Sequence, residues 1–224
     1  MLTMPLSASA GVVIGGLRFI YPAGQKNSVV ALRNTGEESF LVQTKILADD
    51  GVDSAGLLTP TTSSGGVPFI ATPPLWLMKG QTETQLRITW TGNALPEDRE
   101  SLFWLSVAAI PSTKPVGDSH VVLAFRQRVK LIWRPEAVKE SAQQAGEKLH
   151  WQRHHQQVTV RNDSARYITF SAMTVNGSKM IGGMIPPFAK RQQSWCPASG
   201  KCTLSWTPLG DSGEALARQH VTFE

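Results

Sequence analysis

The sequence predicts an all-β protein made of two β-sandwich domains. Short alternating or apolar runs, broken by Gly, Pro, Asn and Asp, recur along the chain at the spacing that sandwich strands have. The length, 224 residues, is enough for one or two folded domains, and a polar stretch after Pro135 divides the runs into two sets. With 41% hydrophobic and 17% charged residues, the composition is that of a globular protein and excludes a disordered chain or a coiled coil.

The first set of runs predicts an N-terminal domain over residues 11–135. Turn residues separate the runs, for example at Asn34-Thr35-Gly36 and Asp49-Asp50-Gly51. Seven strands in roughly 120 residues are typical of an immunoglobulin-like sandwich. The predicted strands span residues 12–14, 19–21, 28–32, 40–46, 82–90, 102–108 and 121–133.

Residues 136–148 are predicted to be a linker. This stretch, EAVKESAQQAGEK, is polar and has Val138 as its one β-branched residue, so it is unsuited to a strand and could carry a helical turn. The second set of runs then fills residues 149–224, which suffice for a smaller sandwich. Its predicted strands lie at 149–151, 157–161, 167–175, around 180–185, and at 193–196, 202–206 and 220–223.

The first ten residues, MLTMPLSASA, end in Ala8-Ser9-Ala10, the small-x-small pattern that signal peptidases recognise. No basic region and no full apolar segment precedes it. We interpret residues 1–10 as the remnant of a signal peptide, which predicts export. The alternative is an unstructured leader on a cytosolic protein.

The charge balance argues against two classes of partner. Lysine and arginine number 22 against 17 acidic residues, a net charge of +5, but no Lys/Arg block of the kind that binds nucleic acid is present in the sequence. No run of about 18 apolar residues occurs either, so no insertion into a membrane is predicted. The interpretation is a mildly basic, solvated surface.

Cysteine and histidine residues suggest a disulfide rather than a metal site. Cys196 and Cys202 are close enough in sequence for a local bridge across a hairpin tip, given an oxidising compartment. They lack the further ligands that zinc needs, and His150, His154 and His155 lack a completing Cys or carboxylate trio. We therefore predict no metal and no cofactor.

One short motif raises an enzymatic alternative. Gly210-Asp211-Ser212-Gly213 resembles the sequence around the nucleophile of chymotrypsin-like serine proteases, which would make the protein a secreted serine hydrolase using Ser212. Such a hydroxyl needs a histidine base and an orienting carboxylate. None of the five histidines lies in a segment like those of that family, so a surface turn with no catalytic residue is preferred.

The segment 121–134, VVLAFRQRVKLIWR, predicts a long strand with two apolar faces. Val121, Leu123 and Phe125 alternate on one face, with Val122 and Ala124 on the other. A long hydrophobic edge strand aggregates unless something pairs with it. From periodicity alone, a fully buried central strand remains an equal alternative.

Several motifs together resemble the periplasmic pilus chaperones, the PapD-like family of the chaperone–usher pathway. The most specific is LPEDRESLFWLSVAAIP at 95–111, close to the family pattern Leu-Pro-x-Asp-Arg-Glu-Ser-x-Phe-Trp-Leu-Asn-Val-x-x-Ile-Pro. The resemblance is strong in the first domain and looser in the second. The other matching segments are GGLRFIYP at 15–22, PFIATPP at 68–74, RQRVKLIWRP at 126–135 and VRNDSARYITF at 160–170.

The resemblance implies two immunoglobulin-like domains set at an angle, with a cleft that holds a pilus subunit. Such subunits lack their last strand, and the chaperone lends its own G strand, here with Val121, Leu123 and Phe125 as the donated side chains. It also implies that Arg18 and Lys130 bind the carboxylate at the subunit's C terminus. The chaperone then delivers the subunit to an outer-membrane usher in the periplasm, without catalysing a reaction.

An ion network between the domains, typical of the family, maps to Glu100, Arg134 and Asp211. The sequence departs from the family at Ser106, where Asn is usual, and at Asp163, where the second-domain motif has Pro. Two questions stay open: whether the free protein forms a self-capping homodimer, and whether the chain is itself a surface or pilus structural subunit.

Overall fold

The computed structural model describes residues 11–52, 58–60, 66–92, 94–112 and 123–224. The first sandwich pairs two sheets. The β3 sheet has the order β1 (Val12–Ile14), β3 (Asn27–Asn34), β8 (Glu83–Trp90), β6 (Phe69–Thr72). The β10 sheet has the order β2 (Arg18–Pro22), β10 (Phe125–Arg134), β9 (Ser101–Pro111), β4 (Phe40–Val52), β5 (Leu58–Pro60), and β7 (Leu75–Met78) also pairs with β4.

Alternation along these strands builds the core between the two sheets. In β3 and β8 every second side chain is buried, and the intervening side chains face solvent. We call the face of the β10 sheet that points away from this core its outer face. The fully buried core side chains include Tyr21, Val30, Leu32, Val42, Leu86, Ile88, Leu105 and Leu131.

The chain changes sheets between β1 and β2, and this crossing sets how β10 is paired. The backbone N–H of Gly15 still donates to Ala31 O in the β3 sheet, at 2.9 Å, and the N–H of Lys130 donates to Leu17 O, at 3.2 Å. A Cβ at Gly15 would lie 3.3 Å from Ala31 O, so a glycine suits this close approach. Strand β2 therefore joins β10, in parallel, only from Lys130 onward.

The second sandwich begins after a short helix, α1 (Ala142–Glu147), which lies in the predicted linker. Ser141 caps α1 in a capping box with Gln144. One sheet has the order β11 (Leu149–His154), β12 (Gln157–Asn162), β16 (Lys190–Ser194). The other has the order β14 (Ser178–Met180), β13 (Ile168–Val175), β17 (Cys202–Pro208), β18 (Gln219–Phe223), and β15 (Met184–Ile185) pairs with β13.

The core of the second sandwich holds an aromatic cluster and the disulfide. Trp151 packs against Trp206, with ring centroids 4.5 Å apart, and both contact Phe170. Cys196 and Cys202 are joined, with their Cα atoms 5.7 Å apart, and both are buried. The predicted disulfide is confirmed.

The predicted fold class, all-β with two immunoglobulin-like sandwiches, is confirmed. The sequence-based list of strands was incomplete, because it missed β5, β6 and β7. These strands have only three or four residues each, which is too short for a clear alternation, and β6 and β7 are separated by Pro73-Pro74. No helix within the described ranges is long and apolar enough to cross a membrane.

Candidate functional site: the cleft and the unpaired half of β10

Strand β10 has two halves with different surroundings. From Lys130 to Arg134 it pairs with β9 on one edge and β2 on the other. From Phe125 to Val129 it pairs with β9 alone, and no described residue hydrogen-bonds to its other edge as a strand. We call Phe125–Val129 the free half of β10. Its backbone donors and acceptors on that edge can accept a further strand.

Two apolar side chains, at the start of the free half and just before it, are exposed. Leu123, just before β10, is 65% exposed and Phe125 is 62% exposed, whereas Leu131 further along the same face is fully buried. Val121, the third predicted donor residue, lies outside the described residues. Leu123 and Phe125 therefore continue the core-facing row of β10 beyond the point where the opposite sheet covers it.

A groove of about 300 Å³ opens next to Phe125, at the end of the sandwich. It lies between residues of β1, the end of β9 and the start of β10. Gln127 closes one side, since its side-chain amide donates to Val12 O at 3.1 Å. The remaining lining is mostly apolar and includes Val12, Val13, Phe40, Val107 and Ala109.

Arg18 and Lys130 lie side by side, because they are partners in the parallel register of β2 and β10. Arg18 donates Nη1 to Gly210 O, at 3.0 Å, and Nη2 to Thr169 Oγ1, at 3.1 Å. These bonds orient the guanidinium from the second domain and use two of its five N–H donors. In the described part of the chain, no carboxylate lies within ion-pair distance of either cation.

The electrostatics of this pair favour an incoming anion. Burial, and then the positive charge of Arg18, lower the pKa of Lys130 to about 8, although Asp49 acts in the opposite direction. Burial likewise lowers the pKa of Arg18. Two partly desolvated cations thus lie together, and a carboxylate placed between them would relieve their repulsion.

The structure brings Glu100, Arg134 and Asp211 together between the domains. Arg134 donates Nε to Glu100 Oε1, at 2.7 Å, and its two Nη atoms to the two oxygens of Asp211, at 2.8 and 2.7 Å. Burial alone would raise the pKa of Asp211, but the hydrogen bonds from Arg134 and the nearby charges lower it overall. Glu100 is 3% exposed, so these partners offset the cost of burying its carboxylate.

Arg166 is a fourth member of this network, and sequence reasoning missed it. Its side chain is buried; Nη2 donates to Asp211 Oδ1 and Nη1 donates to Glu140 O at 2.7 Å. The other oxygen of Glu100, Oε2, accepts the backbone N–H of Tyr167 at 2.8 Å. A single arginine before a predicted strand gives no signal of burial, so the sequence could not have assigned this role.

An apolar cluster lies next to the ion network and fixes the second domain against the outer face of the β10 sheet. Leu102 and Ile132 of the first domain pack with Met184 of the second, and all three are buried. Tyr167 and Trp104 complete the cluster. Burial raises the pKa of Tyr167, so this phenol stays neutral.

The residues considered for catalysis and metal binding have other roles in the structure. The Ser212 hydroxyl donates to Glu214 Oε2 at 2.6 Å, within a tight turn at the domain interface. His150 faces Asp163 at 3.2 Å, and His154 packs on His155. Among the described residues, no three His, Cys, Asp or Glu side chains are grouped for a metal ion.

Two family models match nearly the whole chain. Residues 11–139 match "Pili and flagellar-assembly chaperone, PapD N-terminal domain", and residues 144–220 match "Pili assembly chaperone PapD, C-terminal domain". The chain therefore belongs to the PapD-like family of pilus assembly chaperones. Members of this family are chaperones and not enzymes, which agrees with the predicted absence of a catalytic residue.

Individual relatives agree with this assignment. The fimbrial chaperone YcbF of Escherichia coli K12 is 38% identical over 94% of this chain and 87% of its own length. Chaperone FimC of the same strain is 35% identical, over 97% and 86%. The crystal structure of the E. coli chaperone DraB superposes with a TM-score of 0.80 at 29% identity, covering 95% of this chain and 96% of that one.

A solved complex is also similar to this chain. The structure of the Salmonella enterica SafA pilin with the SafB chaperone matches with a TM-score of 0.82 and 29% identity, over 96% of this chain and 97% of that one.

Proposed function

We propose that the chain is a periplasmic chaperone that binds pilus subunits by lending them the start of β10. The observation that carries this proposal is the free half of β10, which combines an unpaired edge with the exposed side chains of Leu123 and Phe125. We include Val121 in the lent segment because it continues the same alternation in the sequence.

An immunoglobulin-like subunit that lacks one strand has the complementary need. Its sheet edge requires backbone partners, and its open core requires alternating apolar side chains. Burying a side chain of the size of Leu or Phe contributes about 1.5–3 kcal/mol each. The same contacts would cover the edge of β10, which otherwise exposes this protein to aggregation.

The cations of the cleft set the register of the subunit strand along β10. We propose that its terminal carboxylate is held by Lys130 and by the free donors of Arg18. Charge-assisted hydrogen bonds of this kind contribute about 1.5–3 kcal/mol each. A slip of one residue would turn every donated side chain to the wrong face, so a fixed end point is needed for correct pairing.

The SafB chaperone is seen with a pilin, which supports a pilus subunit as the partner of this chain. We further propose delivery to an outer-membrane usher without nucleotide, because a subunit can exchange the lent strand for a neighbouring subunit's better-fitting extension. The domain interface formed by Glu100, Arg134, Arg166 and Asp211 would keep the cleft in a fixed shape during this exchange.

Recovery of a co-expressed, tagged pilus subunit from the periplasm tests the proposal. Lys130→Met should abolish recovery while the variant stays folded, and adding residues after the subunit's last residue should do the same by moving the carboxylate. Lys190→Ala is the matched control, since Lys190 is an exposed lysine on β16. Wild-type yield with Lys130→Met would reject the carboxylate anchor.

The free chaperone must also protect its exposed edge. We propose that two copies cover each other's free half of β10 in a self-capping homodimer. Sedimentation should then show a dimer that dissociates when a subunit is added. A monomer at micromolar concentration would exclude this part of the proposal.

A further inference from the structure

A row of cations lies on the outer face of the β10 sheet, leading away from the carboxylate anchor. Lys45, Ser106 and Arg128 are cross-strand partners on β4, β9 and β10. Arg126 lies one step further along β10, opposite Ala108. Alternation places Arg128 and Arg126 on the same face as Lys130, two and four residues before it.

These cations have little internal compensation. Lys45, Arg126 and Arg128 are exposed. Among the described residues, the one side-chain hydrogen-bond partner of the three is Ser106, whose Oγ is 3.5 Å from Arg126 Nη1. Within the described residues, none of the three forms an ion pair. Asp49 shares this face, but it accepts the indole N–H of Trp104 at 3.1 Å, at the Lys130 end of the row.

The geometry of the free edge determines what passes beside this row. A strand whose carboxylate ends at Lys130 and which lies along Phe125–Val129 must run parallel to β10. It then ends where β2 begins, and it occupies the same edge that β2 occupies from Lys130 onward. Every second side chain of that strand points to the outer face, next to Arg128 and then Arg126.

We propose that this chaperone selects subunits by two acidic side chains of their C-terminal strand. These side chains occupy alternate positions on the side of that strand that continues the outer face of the β10 sheet, opposite Arg128 and Arg126. The inference rests on the proposed function, since it takes the strand direction from the carboxylate anchor. Lys45 lies behind the two arginines and adds a further positive charge to the same surface, whereas Ser106 between them is buried. Opposite charges on adjacent strands stabilise pairing, and like charges oppose it.

Labelled 14-residue peptides with an alternating Val/Thr scaffold test this selection by fluorescence anisotropy. One peptide has Glu at the second and fourth positions before its last residue, another has Glu in the opposite phase, and a third has Gln throughout. A fourth repeats the first acidic peptide with an amidated C terminus. Of the two acidic peptides, only one should bind about threefold to tenfold more tightly than the Gln peptide, and this gain in affinity should shrink at high salt.

Protein variants test whether the two arginines cause this gain in affinity. The double variant Arg126→Gln/Arg128→Gln should remove it, while Arg87→Gln, an exposed arginine of β8 in the other sheet, should keep it. Reversal to Arg126→Glu/Arg128→Glu should favour a peptide with Lys in place of Glu, which also shows that the variant is folded and competent.

The outcomes separate the two proposals. Equal affinity for acidic and Gln peptides, or an equal gain in both phases, would overturn the acidic selection and leave the carboxylate anchor standing. If the amidated peptide binds as tightly as its carboxylate form, the anchor itself fails, and the inferred strand direction fails with it.

Discussion

The two halves of β10 belong to one continuous strand, but they differ in burial and in edge pairing. In the second half, Leu131 is fully buried and both backbone edges are paired. In the first half, Phe125 is 62% exposed and one edge pairs with no described strand. The core-facing row of side chains is therefore buried in the protein's own core in the second half, whereas its start at Phe125 is exposed.

The difference comes from where β2 starts. The first strand of the chain lies in the β3 sheet as β1, crosses over at Gly15, and joins β10 only from Arg18 onward. A crossing a few residues earlier would cover the free half. The position of this crossing thus decides how much of β10 pairs with β2.

The largest effect on the fold is expected in the paired half. Leu131→Ala removes a fully buried side chain from the core between the sheets, so it should lower the free energy of unfolding by about 2–5 kcal/mol. Urea denaturation measures this loss. A change as small as that of an exposed site would contradict the assignment of this half to the core.

The second largest effect is expected at the end of the paired half, where Arg134 contacts the second domain. Arg134→Met should destabilise the protein by about 3 kcal/mol, because it leaves Glu100 buried without its main partner. This expected loss is at the low end of the range for a broken buried ion pair, because Asp211 is partly exposed. Lys201→Met, which breaks the exposed pair with Glu224, should leave the melting temperature unchanged.

The ion network also predicts how stability depends on pH. The folded-state pKa of Asp211 is lowered, so the stability that it contributes is present at neutral pH and is lost as the pH falls through that pKa. In Arg134→Met, the loss of stability on acidification should be smaller than in the wild type. An identical acid dependence in both proteins would show that the network does not couple to folding.

A smaller effect is expected where the two halves meet, at Lys130. Its pKa in the free protein is about 8, and a bound carboxylate would raise it, so affinity should fall as the pH rises through about 8. The fall should be at most tenfold per pH unit, measured by anisotropy with the carboxylate-ended peptides. Lys130→Arg should bind with a flat profile over the same range, since arginine stays charged.

The smallest effect on the fold is expected in the free half. Phe125→Ala should change the free energy of unfolding by less than about 0.5 kcal/mol, because most of this side chain already faces water. Recovery of a subunit should nevertheless fall strongly. Ile70→Ala, at a similarly exposed apolar residue of β6, is the control that should keep wild-type recovery.

Sequence reasoning predicted the strands with clear alternation, such as β3 and β8, and the apolar run of β9, and it predicted the disulfide. It missed β5, β6 and β7, where three or four residues are too few to show a period. It also named Glu100, Arg134 and Asp211 from family motifs, and the structure brings these residues together. Arg166 escaped notice because nothing in its local sequence distinguishes a buried arginine from an exposed one.

For residues 121–134 the sequence allowed either a fully buried strand or an edge strand. Strand β10 combines both: Lys130–Arg134 pairs on both edges, and Phe125–Val129 pairs with a described strand on one edge. Periodicity describes the faces of a strand, and the core-facing row of β10 is apolar in both halves except at Gln127. It says nothing of which neighbour pairs with each edge. That depends on β2, more than a hundred residues earlier in the chain.

The sequence by itself determined the two sandwiches, the turn chemistry between strands and the alternation along β10, because these depend on neighbouring residues. Only the tertiary structure decided that one edge of Phe125–Val129 pairs with no described strand. It also decided that Arg18 and Lys130 are neighbours and that, among the described residues, neither forms an ion pair with a carboxylate. It also decided that Arg134 and Arg166 meet on Asp211. Edge pairing and charge proximity join segments far apart in sequence, and their energy depends on burial that no local pattern contains.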